Sequence, residues 1–189
     1  MRHFESTPID GKVVERLIDA AGLAPSVGYS QPWRFVEIAS QAAREAVRAN
    51  FAKCNAEALA SYEGDKARKY AALKLEGLRD APLQLAVFTD AATSVGHGLG
   101  RRTMPETVRY STVMAIQNLW LLARALGIGV GWVSILDPET LCSSLDIDPQ
   151  WTFTAYLCIG YPKSVSAVPE LQRAGWEVRN EQSRRMLRR

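Results

Sequence analysis

Histidine and cysteine are scarce in this chain, and each scarcity removes a class of protein. Two histidines, His3 and His97, with no close cysteine pair, are too few ligands for a zinc site. The three cysteines, Cys54, Cys142 and Cys158, are widely spaced and odd in number. That argues against a disulfide framework and for a reducing compartment, so a cytoplasmic location is expected. No apolar run is long enough to span a bilayer, and no basic segment followed by an apolar stretch opens the chain; neither a membrane span nor a signal peptide is expected. No glycine-rich turn follows the first expected strand, which excludes a dinucleotide fingerprint. One-sided charge is lacking too. The net charge of +3 rests on Arg184, Arg185, Arg188 and Arg189, without which the balance is −1. The excess is a tail rather than a face, and no nucleic-acid partner is expected.

What is present suits one compact unit. With 47% hydrophobic residues, 189 residues can fill a sizeable core, and no internal repeat or Gly/Ser linker divides the chain. The central stretch is Tyr110 to Ile135. Val113, Ile116, Leu119, Trp120, Leu122, Ala123 and Leu126 recur at helical spacing and leave a helix apolar almost all round. Gly127 ends it, and residues 128–135 read as a buried strand whose Gly129 and Gly131 mark a place where something approaches the backbone. A helix with no core left to cover can cover a second copy of the chain.

Around this centre the pattern alternates. Asp10 is the expected cap of a short amphipathic helix ending near Leu23. Residues 25–33 form a loop, 34–38 a strand, 41–62 a helix, and 65–79 a second helix with one packed side made by Ala67, Tyr70, Leu73, Lys74, Gly77 and Leu78. Residues 83–89 and 153–159 read as central strands, and 138–145 as a short helix. Residues 90–106 hold Gly96, Gly98, Gly100 and Pro105, a long irregular loop of the functional or mobile kind. The expected architecture is α+β, with one mixed central sheet between helical layers.

Several short stretches resemble the flavin-destroying branch of the nitroreductase superfamily. They are Pro25-Ser26-Val27-Gly28 with Gln31-Pro32-Trp33; Tyr110-Ser111-Thr112-Val113; Gln117-Asn118-Leu119-Trp120; Gly129 to Ile135; and Gly175-Trp176-Glu177-Val178-Arg179. The likeness runs from Met1 to about Arg179. It implies one FMN-binding domain over residues 1–180, with a basic tail at 181–189. It also implies an obligate homodimer with flavin at the subunit interface, and O2-dependent fragmentation of reduced FMN to the lower ligand of vitamin B12, with no membrane or nucleic-acid partner. In that branch the loop holding Ser26, Val27, Gly28 and Gln31 reaches the flavin held mainly by the other subunit. Ser134, with Val133 before it, lies beside the flavin ring and supports the oxygen chemistry. Arg2 lies against the ring or ribityl, Arg179 binds phosphate, and Gly100-Arg101-Arg102-Thr103 is a lid. Taken alone, each residue also has a plain reading: Arg2 and Arg179 as solvated charges, Ser134 as the end of a strand, Trp33 and Trp120 as packing.

The branch opens with Arg-Arg-Asp-x-Arg-x-Phe, of which Arg2 and Phe4 match the last arginine and the phenylalanine. The first three residues would precede Met1. Read as it stands, the chain is expected to hold FMN less tightly and to fragment it slowly, and a start upstream would restore the motif. Two other readings stay open at this point: an NAD(P)H-dependent flavin or nitro reductase, and a flavin-binding protein without catalysis.

Overall fold

A computed structural model describes residues 1–188; Arg189, the last residue of the expected basic tail, lies outside the described residues. Helix α1 spans Gly11–Gly22, and the Asp10 side chain accepts from the Lys12 amide at 2.8 Å. A 3₁₀ turn, Val27–Tyr29, leads into strand β1, Trp33–Glu37. Helix α2, Gln41–Ala60, is capped by Ser40, whose hydroxyl accepts from the Ala43 amide at 3.2 Å. Helix α3 is Gly64–Ala72, strand β2 Leu83–Asp90, helix α4 Thr107–Ala125 and strand β3 Gly129–Val133. Helix α5, Pro138–Ser144, starts with proline in its first turn behind an Asp137 cap, which suits a residue with no amide proton to place. Strand β4, Trp151–Gly160, and the short helix α6, Glu170–Arg173, complete the order, and a second 3₁₀ turn spans Glu181–Arg184.

The strands stand in the order β1-β2-β4-β3. All three pairings are antiparallel, so the sheet that was expected to be mixed is antiparallel throughout its described strands. The α+β class holds. Strands β2 and β4 are central and buried on both faces, which is why each reads as an almost unbroken apolar run. One face carries a core of Leu17 and Ala21 from α1, Ile116, Leu119 and Ala123 from α4, and Leu85, Val87, Val130 and Leu157 from the sheet. The other face packs Val47 of α2, Leu141 of α5, Phe4, Leu78, Phe88, Val133 and Tyr156.

Helix α4 is only partly covered. It buries Val108, Ser111, Thr112, Ala115, Ile116, Leu119 and Ala123, while Tyr110, Val113, Met114 and Leu121 stand exposed along another strip. Val113, which helical spacing grouped with the core, belongs to the exposed strip.

The helix expected over 65–79 ends at Ala72. Leu73 turns extended, and Gly77 lies against Phe4: a β-carbon there would fall 2.5 Å from the Phe4 ring. Phe4 and Leu78 are both about 1% exposed. Burying these two side chains outweighs the helical preference of residues 73–79, a tertiary override of local propensity.

The close approach marked by Gly129 and Gly131 is made by the chain's own first residues. The Met1 amine donates to the Val130 carbonyl at 3.5 Å, and the Met1 side chain and carbonyl fill the space over the two glycines. Phe4 bridges to Pro162, and the Glu5 amide donates to the Tyr161 carbonyl at 2.8 Å, so the segment lies along the end of β4 as well.

Candidate functional site

The Pro25–Trp33 loop is held from two sides. The Val27 amide donates to Ser111 Oγ at 3.0 Å, fastening the loop to α4. The Ser26 hydroxyl accepts from the Gln31 amide at 3.1 Å and keeps its own proton free to donate. Gly28, Tyr29 and Gln31 all have positive φ, so the loop is wound tightly at the cost of two non-glycine residues in the left-handed region. Its backbone meets the 96–100 loop directly. A β-carbon on Gly28 would fall 2.9 Å from the Leu99 carbonyl, and one on Gly100 would fall 2.8 Å from the Val27 side chain. Arg101 donates to the Thr93 carbonyl at 2.7 Å and to the Ala91 carbonyl, folding its own loop back on itself.

Ser134 leaves the sheet one residue past β3, whose last residue, Val133, pairs with Tyr156 in the middle of β4. It is exposed, and no hydrogen bond is described for its hydroxyl among the described residues. The loop and Ser134 sit at opposite edges of the sheet, because β1 and β3 are its outer strands. Three strand spacings, roughly 14 Å, separate those edges.

Arg2 pairs with Glu170 at 3.3 Å, and His3 approaches the same carboxylate at 3.8 Å. Glu170 is the residue that sequence reasoning missed, since it lies far along the chain in an otherwise irregular stretch. Arg179 is exposed and has no ion pair among the described residues. Lys74, expected on the packed side of a helix over 65–79, lies beyond α3 and donates to Asp80 Oδ2 at 2.9 Å. That hydrogen bond holds the Asp80 carboxyl below its ordinary range, against a smaller opposing effect of burial. Burial pushes the Cys158 thiol up to about 12 and raises Tyr156, whose hydroxyl donates to Gln84 Oε1 at 2.7 Å inside the core.

None of the four cavities described is lined by the expected site residues. The largest of the four cavities described, about 460 Å³, lies instead beside Met1, His3, Trp120, Arg124, Glu170 and Arg173. No cluster of metal-ligating side chains occurs among the described residues, and no described helix is long and apolar enough to cross a membrane.

The expected site residues are donors and would suit an acceptor-rich flavin nucleotide. Ser26 and Ser134 carry hydroxyl protons, and Arg2 and Arg179 carry guanidinium groups, of which Arg2's is paired with Glu170. Ser30, only 2% exposed, holds the one buried side-chain polar atom without a partner among the described residues, and it belongs to the same loop.

The chain belongs to the nitroreductase family, whose model matches residues 1–161. It is 58% identical over 179 residues to 5,6-dimethylbenzimidazole synthase of Rhodospirillum rubrum, spanning 95% of this chain and 85% of that protein. It is 49% identical over 177 residues to 5,6-dimethylbenzimidazole synthase of Rhodobacter capsulatus, spanning 94% of this chain and 86% of that one. Among solved structures, it is similar in fold to a BluB-like flavoprotein from Clostridium difficile 630, at a TM-score of 0.70 and 21% identity, covering 100% of this chain and 94% of the other.

Proposed function

We infer that this chain is an FMN-dependent oxidoreductase of the 5,6-dimethylbenzimidazole synthase type, which uses O2 to fragment reduced FMN. The observation that carries the reading is identity of 58% and 49% to two synthases over nearly the whole chain. The rival readings, an NAD(P)H-dependent reductase and a non-catalytic flavin binder, are not favoured beside relatives that bear the synthase name.

Reduced FMN is the substrate and supplies the ring that is broken. The chain's part is to hold, orient and shield it. Arg179, a planar fork of donors on an exposed segment, suits the phosphate. Arg2 suits the electron-rich edge of the ring, and Glu170 fixes the direction of its side chain. The Ser134 hydroxyl, at the end of a rigid strand, can donate to a ring heteroatom without a loop to order first. The locked pair of loops, 25–33 and 96–103, can exclude water from above.

Two findings support a homodimer with the flavin shared. The loop of Ser26, Val27, Gly28 and Gln31 and the strand end of Val133 and Ser134 lie on opposite edges of the sheet, so the loop of one copy can complete the site of another. The exposed strip Tyr110, Val113, Met114 and Leu121 on α4 offers the apolar face such a pairing needs.

The test is to load reduced FMN without oxygen, admit air, and assay for 5,6-dimethylbenzimidazole. Product is expected, and Ser134→Gly is expected to lower its yield more than it lowers flavin binding. Simple reoxidation to FMN with no product, together with fast flavin reduction by NADH in stopped flow, would overturn the reading in favour of a reductase.

A further inference from the structure

Trp176 is seated in an aromatic socket made by a different part of the chain. Its ring meets Tyr62 at 5.7 Å between centroids and 88°, and Tyr70 at 6.1 Å and 62°. Tyr62 and Tyr70 lie 4.9 Å apart, one just past the end of α2 and the other in α3. Edge-to-face contacts of this kind add to what area burial alone provides. Lys66 Nζ lies 5.3 Å from the Tyr62 ring and 5.9 Å from the Trp176 ring, within range of attraction to both faces. Lys69 Nζ donates to the Gly175 carbonyl at 3.2 Å. Tyr70 is itself anchored: it is 7% exposed, and its hydroxyl donates to Asn55 Oδ1 at 2.9 Å.

The backbone fixes Trp176 from the other side. Gly175, at φ +67°, closes α6, and the Trp176 amide donates to the Leu171 carbonyl at 2.9 Å. From Glu177 to Asn180 the chain has no regular structure. Arg179 stands three residues beyond the socket, about 10 Å of extended chain.

We propose that the Tyr62–Tyr70–Trp176 socket is the positioning device for Arg179, and that it makes the site prefer a phosphorylated flavin, FMN, to unphosphorylated riboflavin. The proposal rests on the reading of Arg179 as the phosphate arginine. An arginine on a free tail must be ordered when phosphate binds. One tethered three residues from a clamped tryptophan has lost part of that freedom already, since its reach is confined to about 10 Å from the socket, and preorganisation of this kind appears as affinity.

The experiment measures FMN and riboflavin affinity by flavin fluorescence quenching on the full chain and on Arg179→Ala, Trp176→Ala, Trp176→Phe and the double alanine variant. Arg179→Ala is expected to weaken FMN about tenfold, as loss of a charge-assisted contact does. Trp176→Ala is expected to weaken FMN nearly as much, to leave riboflavin affinity within about twofold, and to add little to Arg179→Ala in the double variant. Trp176→Phe is expected to restore most of the loss, and it keeps the test informative should the alanine variant fold poorly. Equal weakening of FMN and riboflavin by Trp176→Ala would mean a general packing role and overturn the proposal. So would unchanged FMN affinity in Trp176→Ala beside a weakened Arg179→Ala. Unchanged FMN affinity in Arg179→Ala would instead overturn the phosphate reading itself, and the socket's proposed role with it.

Discussion

The carbonyl of Met1 lies over Gly131, in the space a β-carbon at position 131 would take. The first residues thus rest on bare backbone of the edge strand β3, and Phe4 follows into the core between Gly77, Gly131 and Gly160. Gly131→Ala is expected to push Met1 off β3 and to lower FMN affinity by moving Arg2. Amide hydrogen exchange at Glu5, whose bond to Tyr161 closes this segment, should rise in the variant; unchanged exchange would show that the strand yields instead.

Phe4 itself is almost fully buried among three glycines, which have no side chains to collapse into a vacated space. Phe4→Ala is expected to cost about 3–5 kcal/mol of folding stability. Urea unfolding measures it, with the midpoint falling and the slope unchanged.

The pair of Lys74 and Asp80 predicts a pH dependence. The Asp80 pKa is depressed in the folded chain, so its contribution is fully present above the ordinary carboxylate value, about 4, and is lost as pH falls through the lower folded value. Lys74→Met is expected to lower Tm by about 2–4 °C at pH 7, the shift that accompanies roughly 1 kcal/mol. The gap between variant and parent should narrow as the pH drops below the ordinary carboxylate range. A gap that stays constant down to acid pH would assign the effect to packing of the lysine stem.

Cys158 is buried in β4 with its thiol pushed up to about 12, so almost no thiolate exists near pH 8. A thiol reagent applied to the native protein is expected to leave Cys158 unmodified while the half-buried Cys54 and Cys142 are the ones reached. Cys158 should react only on unfolding. Peptide mass mapping before and after denaturant checks this, and native labelling of Cys158 would show that β4 opens locally.

By itself, the sequence determined the elements whose signal is local and strong. The two central strands are legible because burial on both faces demands unbroken apolar runs, and α4 because its repeat is long. The Pro25–Trp33 loop, Ser134 and Arg179 were picked out as motif residues by resemblance, which depends on residue identity and not on where the fold sets them. Whatever depends on the meeting of distant segments was decided only in three dimensions. Tertiary structure made the sheet antiparallel, because strand direction follows from connections and not from the apolar pattern of any one strand. It stopped α3 at Ala72, because Phe4, some seventy positions upstream, needs the space at Gly77. It set Glu170 on Arg2 and Trp176 between two tyrosines. Such contacts carry no local periodicity, since the free energy that selects them comes from burial and charge pairing between segments that only the folded chain brings together.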